Sequence, residues 1–231
     1  HMERIVAQKT GPGVQVFALS GRLSPDRQQA ALAPSPQGCR KVVLATAIAE
    51  TSLTIEGVTV VVDSGLMRRP LFFPGTGLTR LQTLPVSRAS ADQRRGRAGR
   101  TGPGICYRIW SEHVHKGLVR FSRPEILEQD LAGVALELAL WGVRDAKDLK
   151  WLDPPPAKAF ARARDLLHRL GCLDDQGGIP AHGKTIAGSG IHPRLSHMIL
   201  KAARSGNGFL ACCLAVLLEE NMDLPGFSHD P

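Results

Sequence analysis

Three short apolar runs constrain the fold of this 231-residue chain more than any other feature: Val14-Gln-Val-Phe-Ala-Leu19, Lys41-Val-Val-Leu-Ala45 and Val58-Thr-Val-Val-Val-Asp63. Between the first two lies a helical stretch, Pro25 to Leu32, opened by Ser24 with proline at its first position. Residues 48–53 make a short helical turn before the third run. Near-continuous apolar strands alternating with helices predict a parallel sheet covered on both faces. Residues 66–88, punctuated by Pro70, Pro74-Gly75-Thr76-Gly77 and Pro85, read as a β-hairpin, and Tyr107 to Trp110 as a further strand. The fold class is α/β.

The pattern changes after Phe121. Leu127, Leu131, Val134, Leu138 and Trp141 recur at helical spacing up to Gly142. Asp153-Pro-Pro-Pro156 breaks the chain and introduces a second helix, with Phe160, Leu166, Leu167 and Leu170 on its apolar face and Gly171 after it. Two helices followed by a Gly-rich turn and a short apolar return are consistent with a winged-helix module. Two more helical patterns, separated by Ser205-Gly-Asn-Gly208, cover about 193 to 220 and look like the start of a helical bundle. The expected domains are therefore 1–121, an α/β lobe; 122–190, a mainly helical winged-helix domain; and 191–231, the beginning of a bundle. His1-Met2 reads as a cloning remnant, and the abrupt helical start at Glu3 suggests a piece excised from a longer protein.

Hydrophobic residues make up 43% of the chain and mean hydropathy is −0.07, enough to bury a real core. No apolar run approaches a membrane span and no signal peptide is visible, so a cytoplasmic protein without a membrane partner is expected. Five cysteines without a CxxC pair read as reduced core residues. His113-x-His115 lacks further ligands and reads as a surface loop, so no metal site is expected. The net charge of +8 is local: residues 68–108 hold nine arginines, no lysine and one acid, Asp92, while the remainder balances 20 basic against 20 acidic residues. Arginine without lysine favours planar, bidentate phosphate contacts, as at a nucleotide or nucleic-acid site.

The densest part of that patch is Gln93-Arg-Arg-Gly-Arg-Ala-Gly-Arg100, introduced by Ser90-Ala-Asp. On a helix, Gln93, Arg97 and Arg100 are spaced i, i+4 and i+7 and share one face, while Arg94 and Arg95 point elsewhere. Ser90-x-x-Gln93 reads as a capping box, placing the arginines at a helix N-terminus where the macrodipole disfavours cations. A sequence that accepts this cost is expected to receive an anion there. A second constellation follows the Lys41–Ala45 strand: Thr46, Thr51, Ser52 and Thr54 put hydroxyls at a strand's carboxyl end, where α/β sheets bind ligands. Such groups can hold nucleic-acid phosphates without reading sequence, although helix capping alone also explains them.

Together, Thr46-Ala-Ile-Ala-Glu-Thr-Ser-Leu-Thr-Ile55 and Gln93–Arg100 resemble motifs V and VI of the DEAH-box RNA helicases. Pro124-Glu-Ile-Leu, Asp153-Pro-Pro-Pro and His192-Pro-Arg-Leu resemble the winged-helix and ratchet segments that follow in that family, and the wording is closest to its bacterial members. The resemblance spans residues 14–220. It implies a RecA-like second lobe, N-terminally truncated, in an enzyme that couples ATP hydrolysis to translocation on RNA. Arg97 and Arg100 would contact the ATP phosphates as arginine fingers, Gln93 would orient the attacking water, and Asp63 would meet the ribose. Thr46, Thr51 and Ser52 would grip the RNA backbone or couple that grip to the nucleotide, and the 66–88 hairpin would act where strands separate. Ala47 departs from the pattern, standing where family members often have asparagine.

Gly178-Gly-Ile-Pro-Ala-His-Gly183-Lys-Thr185 matches a phosphate-binding loop literally, but it follows a helix end and turn rather than a strand, and Pro180 removes an N–H from the cradle. By resemblance it is the wing. The phosphate loop and the Asp-Glu-x-His stretch that holds Mg2+ would both lie in a first RecA-like lobe, which is expected as a partner alongside RNA and ATP. The isolated chain is expected to be an inactive monomer that folds without cofactors. The competing reading is a non-catalytic nucleic-acid-binding module built on the arginine patch.

Overall fold

The computed structural model describes residues 2–51, 55–100 and 102–220. By compactness the chain divides into two units: residues up to 69 with 81–122, and residues 70–80 with those from 123 on.

The first unit begins with α1 (Met2–Lys9), then β1 (Val14–Leu19), α2 (Pro25–Leu32), β2 (Arg40–Ala45), the one-turn α3 (Ile48–Thr51) and β3 (Val60–Asp63). The hairpin strands β4 (Leu66–Phe73) and β5 (Leu78–Pro85) follow, then α4 (Arg88–Ala98), β6 (Ile105–Arg108) and the short α5 (Glu112–Gly117) around the two histidines expected in a loop. β1 runs parallel to β2 from Val14↔Arg40 to Leu19↔Ala45, and β3 parallel to β6 from Val60↔Ile105 to Asp63↔Arg108. The α/β class and the parallel pairing are as the sequence indicates. Instead of one continuous sheet, however, the described residues form separate two-stranded pairs. Nor is β3/β6 covered on both faces. Asp63 turns inward, while Val60, Val62, Ile105 and Tyr107 are 51–63% exposed, leaving one apolar face bare. An apolar run reports what a strand can bury, not whether a covering layer is present.

Val86, Ala91 and Leu118 form the buried centre beside α4, with Met67 and Trp110 packed against them. Gly65, at φ +73°, makes this packing possible: a Cβ there would lie 2.7 Å from the Trp110 ring. Gly104 allows the chain to pass the end of α4, where a Cβ would come within 2.1 Å of the Ala98 carbonyl oxygen.

The second unit holds the hairpin tip and α6 (Ala132–Leu140), α7 (Ala157–Arg169), α8 (Ala181–Ala187), α9 (Pro193–Arg204) and α10 (Gly208–Glu220). α6, α7 and α8 enclose a core of Leu131, Ala135, Leu136, Leu138, Phe160, Ala163, Leu167, Cys172 and Ile186. The helix expected from Leu127 is divided. A single 3-10 turn covers Glu125–Leu127, and α6 starts at Ala132, whose N–H is taken by the Asp130 carboxylate at 2.8 Å. The other Asp130 oxygen pairs with His192 Nε2 at 3.1 Å, joining the starts of α6 and α9. At the expected wing there is a turn and then α8; among the described residues from 123 on there is no strand. Asp174 Oδ1 accepts the N–H groups of Gln176 and Gly178, so the first glycine of the phosphate-loop lookalike is already engaged. Of the cysteines, only Cys172 is a buried core residue; Cys212 and Cys213 are exposed on α10, because Ala211 and Ala215 form its buried face.

Two substitutions probe these cores. Gly65→Ala should cost about 1–3 kcal/mol from the left-handed backbone alone, before the clash with Trp110. Leu167→Ala, at a fully buried position, should cost about 2–5 kcal/mol. Urea unfolding measures both, and a loss below half a kcal/mol would contradict the packing described.

Candidate functional site

α4 begins at Arg88, two residues before the expected Ser90 start. Its N-cap is Ser87, whose Oγ accepts from Ser90 N at 3.2 Å. Arg88 N and Ala89 N donate to the carbonyls of Val119 and Arg120 at 2.8 and 3.1 Å, and Ala91 N to that of Ser87. The four N–H groups at this helix start are thus satisfied within the chain. The expectation of an anion received at the helix N-terminus is therefore corrected. Arg95 and Arg97 sit in the last turn, where the macrodipole favours cations. The Ser90–Gln93 capping box does not form, because the stronger cap lies upstream and the Ser90 hydroxyl donates to Glu50 instead.

Glu50 and Arg94 organise the site. Glu50 Oε1 accepts from Ser90, and Oε2 accepts from Arg94 Nε at 3.1 Å. Arg94 Nη1 reaches Asp63 Oδ1 at 2.8 Å and the Leu66 carbonyl at 3.1 Å. The side chains of Arg94, Glu50 and Asp63 are 16%, 13% and 1% exposed. Gly65 N also donates to Asp63 Oδ1, while Asp63 Oδ2 is buried without a partner among the described residues. Arg97 donates through Nη2 to the Glu50 carbonyl. Burial, and then the charge of Arg100, lower the Arg97 guanidinium from its usual range, with Glu50 opposing; an arginine stays cationic at neutral pH regardless.

The sequence-predicted residues are placed unequally. Gln93 is exposed, Arg97 half-buried against α3, and Arg100 exposed beyond the end of α4, so the shared helical face covers Gln93 and Arg97 only. Thr46 is exposed at the end of β2, its N–H donating to the Leu19 carbonyl at 3.0 Å. Thr51 ends α3; its side chain, and all of Ser52, lie outside the described residues. Asp63, expected at a ribose, is instead buried and paired with Arg94. Asp92 pairs with Arg108 at 2.7 Å and Arg95 at 3.6 Å, and the Arg108 hydrogen bond first of all holds its carboxyl below the usual range. Among the described residues no group of three or more His, Cys, Asp or Glu is arranged to hold a metal. Sequence reasoning missed Glu50 and Arg94. Charge balance carried the signal, since nine arginines with one acid in 68–108 must draw carboxylates from elsewhere.

The lobe and its arginine helix match the helicase conserved C-terminal domain over residues 1–102. It is 44% identical over 215 residues to the ATP-dependent RNA helicase HrpB of Escherichia coli K12, covering 93% of this chain and 26% of that protein. It is 38% identical over 196 residues to the pre-mRNA-splicing factor ATP-dependent RNA helicase prp22 of Schizosaccharomyces pombe, covering 84% of this chain and 17% of that one. A crystal structure of the Escherichia coli DEAH/RHA helicase HrpB superposes with a TM-score of 0.86 at 43% identity, over 96% of this chain and 28% of that one. The chain thus spans about a quarter of the HrpB relative.

Arg94→Ala should destabilise the first unit by about 3–5 kcal/mol, because it strands two buried carboxylates. Chemical denaturation measures this; a loss under 1 kcal/mol would mean the carboxylates find water instead.

Proposed function

We propose that this chain is part of an ATP-dependent RNA helicase, supplying the arginine side of the ATP site and one part of the RNA grip. The single observation that carries this reading is Arg97, held against the segment of Thr46 by the Glu50 carbonyl, which puts a phosphate-seeking cation and a backbone-gripping hydroxyl segment on one scaffold. Arg97 and Arg100 act as arginine fingers on the β- and γ-phosphates, stabilising charge that develops as the γ-phosphoryl group is displaced. Gln93, exposed one turn before Arg97, orients the attacking water. Thr46, Thr51 and Ser52 hold phosphates of single-stranded RNA without reading bases. The ribose contact expected of Asp63 is not carried forward, because that side chain is buried and engaged by Arg94.

A first RecA-like lobe supplies the phosphate cradle and the Mg2+ ligands, and ATP-driven changes in lobe separation move RNA stepwise. Residues 122–190 serve as the winged-helix module and those from 191 on as the start of the ratchet bundle, with the hairpin acting where strands part. The setting is the bacterial cytoplasm, and the chain on its own is a monomer; no described helix is long and apolar enough to cross a membrane.

Two measurements test the reading. In the full-length protein, Arg97→Ala should lower RNA-stimulated ATP hydrolysis by about 10³-fold or more and leave RNA affinity intact. Weakened RNA binding with undiminished hydrolysis would favour the rival, a non-catalytic binding module built on the arginine patch. Residues 1–231 alone should release no phosphate from ATP with or without RNA, and measurable RNA-stimulated turnover would refute the division of labour.

A further inference from the structure

Ser90, Arg94 and Arg97 are spaced i, i+4 and i+7 and so share one face of α4. All three donate to one residue, Glu50. Ser90 and Arg94 reach its carboxylate and Arg97 its carbonyl. Glu50 in turn belongs to a closed turn, in which Ala49 N donates to the Thr46 carbonyl at 3.2 Å and Glu50 N to that of Ala47 at 2.9 Å. Thr46 is itself tied to the end of β1 through Leu19. Four residues, 47–50, therefore connect the exposed Thr46 to the helix that carries Arg97, with only hydrogen bonds and one short turn between them. Motion of that turn cannot leave α4 untouched without breaking a largely buried ion pair.

We propose that Glu50 is the positioning residue for Arg97. Its carbonyl fixes part of the guanidinium fork and its carboxylate fixes the helix beneath it, so displacement of the Thr46–Glu50 turn is passed directly to the arginine. This deepens the function proposed above and rests on it: RNA held at Thr46 sets the aim of the finger at the nucleotide. The Glu50 carboxylate is engaged by Ser90 and Arg94, so in this assignment its effect belongs in kcat rather than in either affinity.

The test uses the full-length protein with Glu50→Gln, Arg97→Ala and the double variant. Glu50→Gln keeps the size and one acceptor of the side chain but loses its charge. RNA-stimulated kcat should fall about tenfold, with KM for ATP and the RNA dissociation constant within about twofold of the parent. The double variant should be no slower than Arg97→Ala alone, because a residue acting only through Arg97 has nothing left to position. A multiplicative further loss in the double variant, a shifted RNA affinity, or an unchanged kcat in Glu50→Gln each overturns the proposal. If Glu50→Gln does not fold, Ser90→Ala takes its place in the same comparison, with the same absorbed loss expected and additivity again overturning it. Undiminished hydrolysis in Arg97→Ala would sink the helicase reading together with this one, whereas additivity sinks the positioning role alone.

Discussion

The first unit depends on one guanidinium. Arg94 stands between two carboxylates that would otherwise be left in a poorly solvated interior, one on the turn after β2 and one at the end of β3. Such burial is costly for either charge alone, and the planar fork offsets that cost by reaching one oxygen of each acid and a carbonyl together. This geometry has a directional consequence. The helix cannot slide along its axis or roll without losing several charge-assisted bonds at once, so the neighbouring arginines inherit a fixed frame. The side chain that holds the site together is therefore not one that faces a ligand.

That division explains what the sequence disclosed. β1 and α2 match their expected bounds, and β2 differs by a single residue, because a parallel strand and a proline-started helix leave dense local signals. The arginine run was legible as chemistry but misread in register. Ser90 satisfied a local capping rule, yet Ser87 won, since the carbonyls of residues 119 and 120 reach back to saturate the helix start. A contact thirty residues away leaves no trace in a window of eight. Glu50 was hidden in the same way: among four hydroxyl residues it looked like ordinary helix filler, and only its distant partners reveal its task.

The second unit shows the complementary limit. Leu127, Leu131, Val134 and Leu138 fit one helical stripe, but Asp130 interrupts it by binding the backbone ahead of itself and His192 beyond. A carboxylate with two separate partners outweighs hydrophobic periodicity. At residues 174–178 the same logic holds, where Asp174 fixes a turn that leads into α8. In both places a short acidic side chain capturing N–H groups set the local path, while the leucines behaved as their spacing indicates.

Trp110 gives the first unit a built-in optical signal. It is the unit's one tryptophan, since the others, Trp141 and Trp151, lie in the second. Its ring rests over Gly65, is stacked with His115 at 6.3 Å and has the Arg108 guanidinium 5.7 Å away. Gly65 is hydrogen-bonded to the carboxylate that Arg94 holds. Indole emission responds to nearby charge and to ring packing, so any rearrangement of the buried ion pair would be written into the fluorescence of this residue. The chain thus carries its own dye beside that ion pair, with no label to attach.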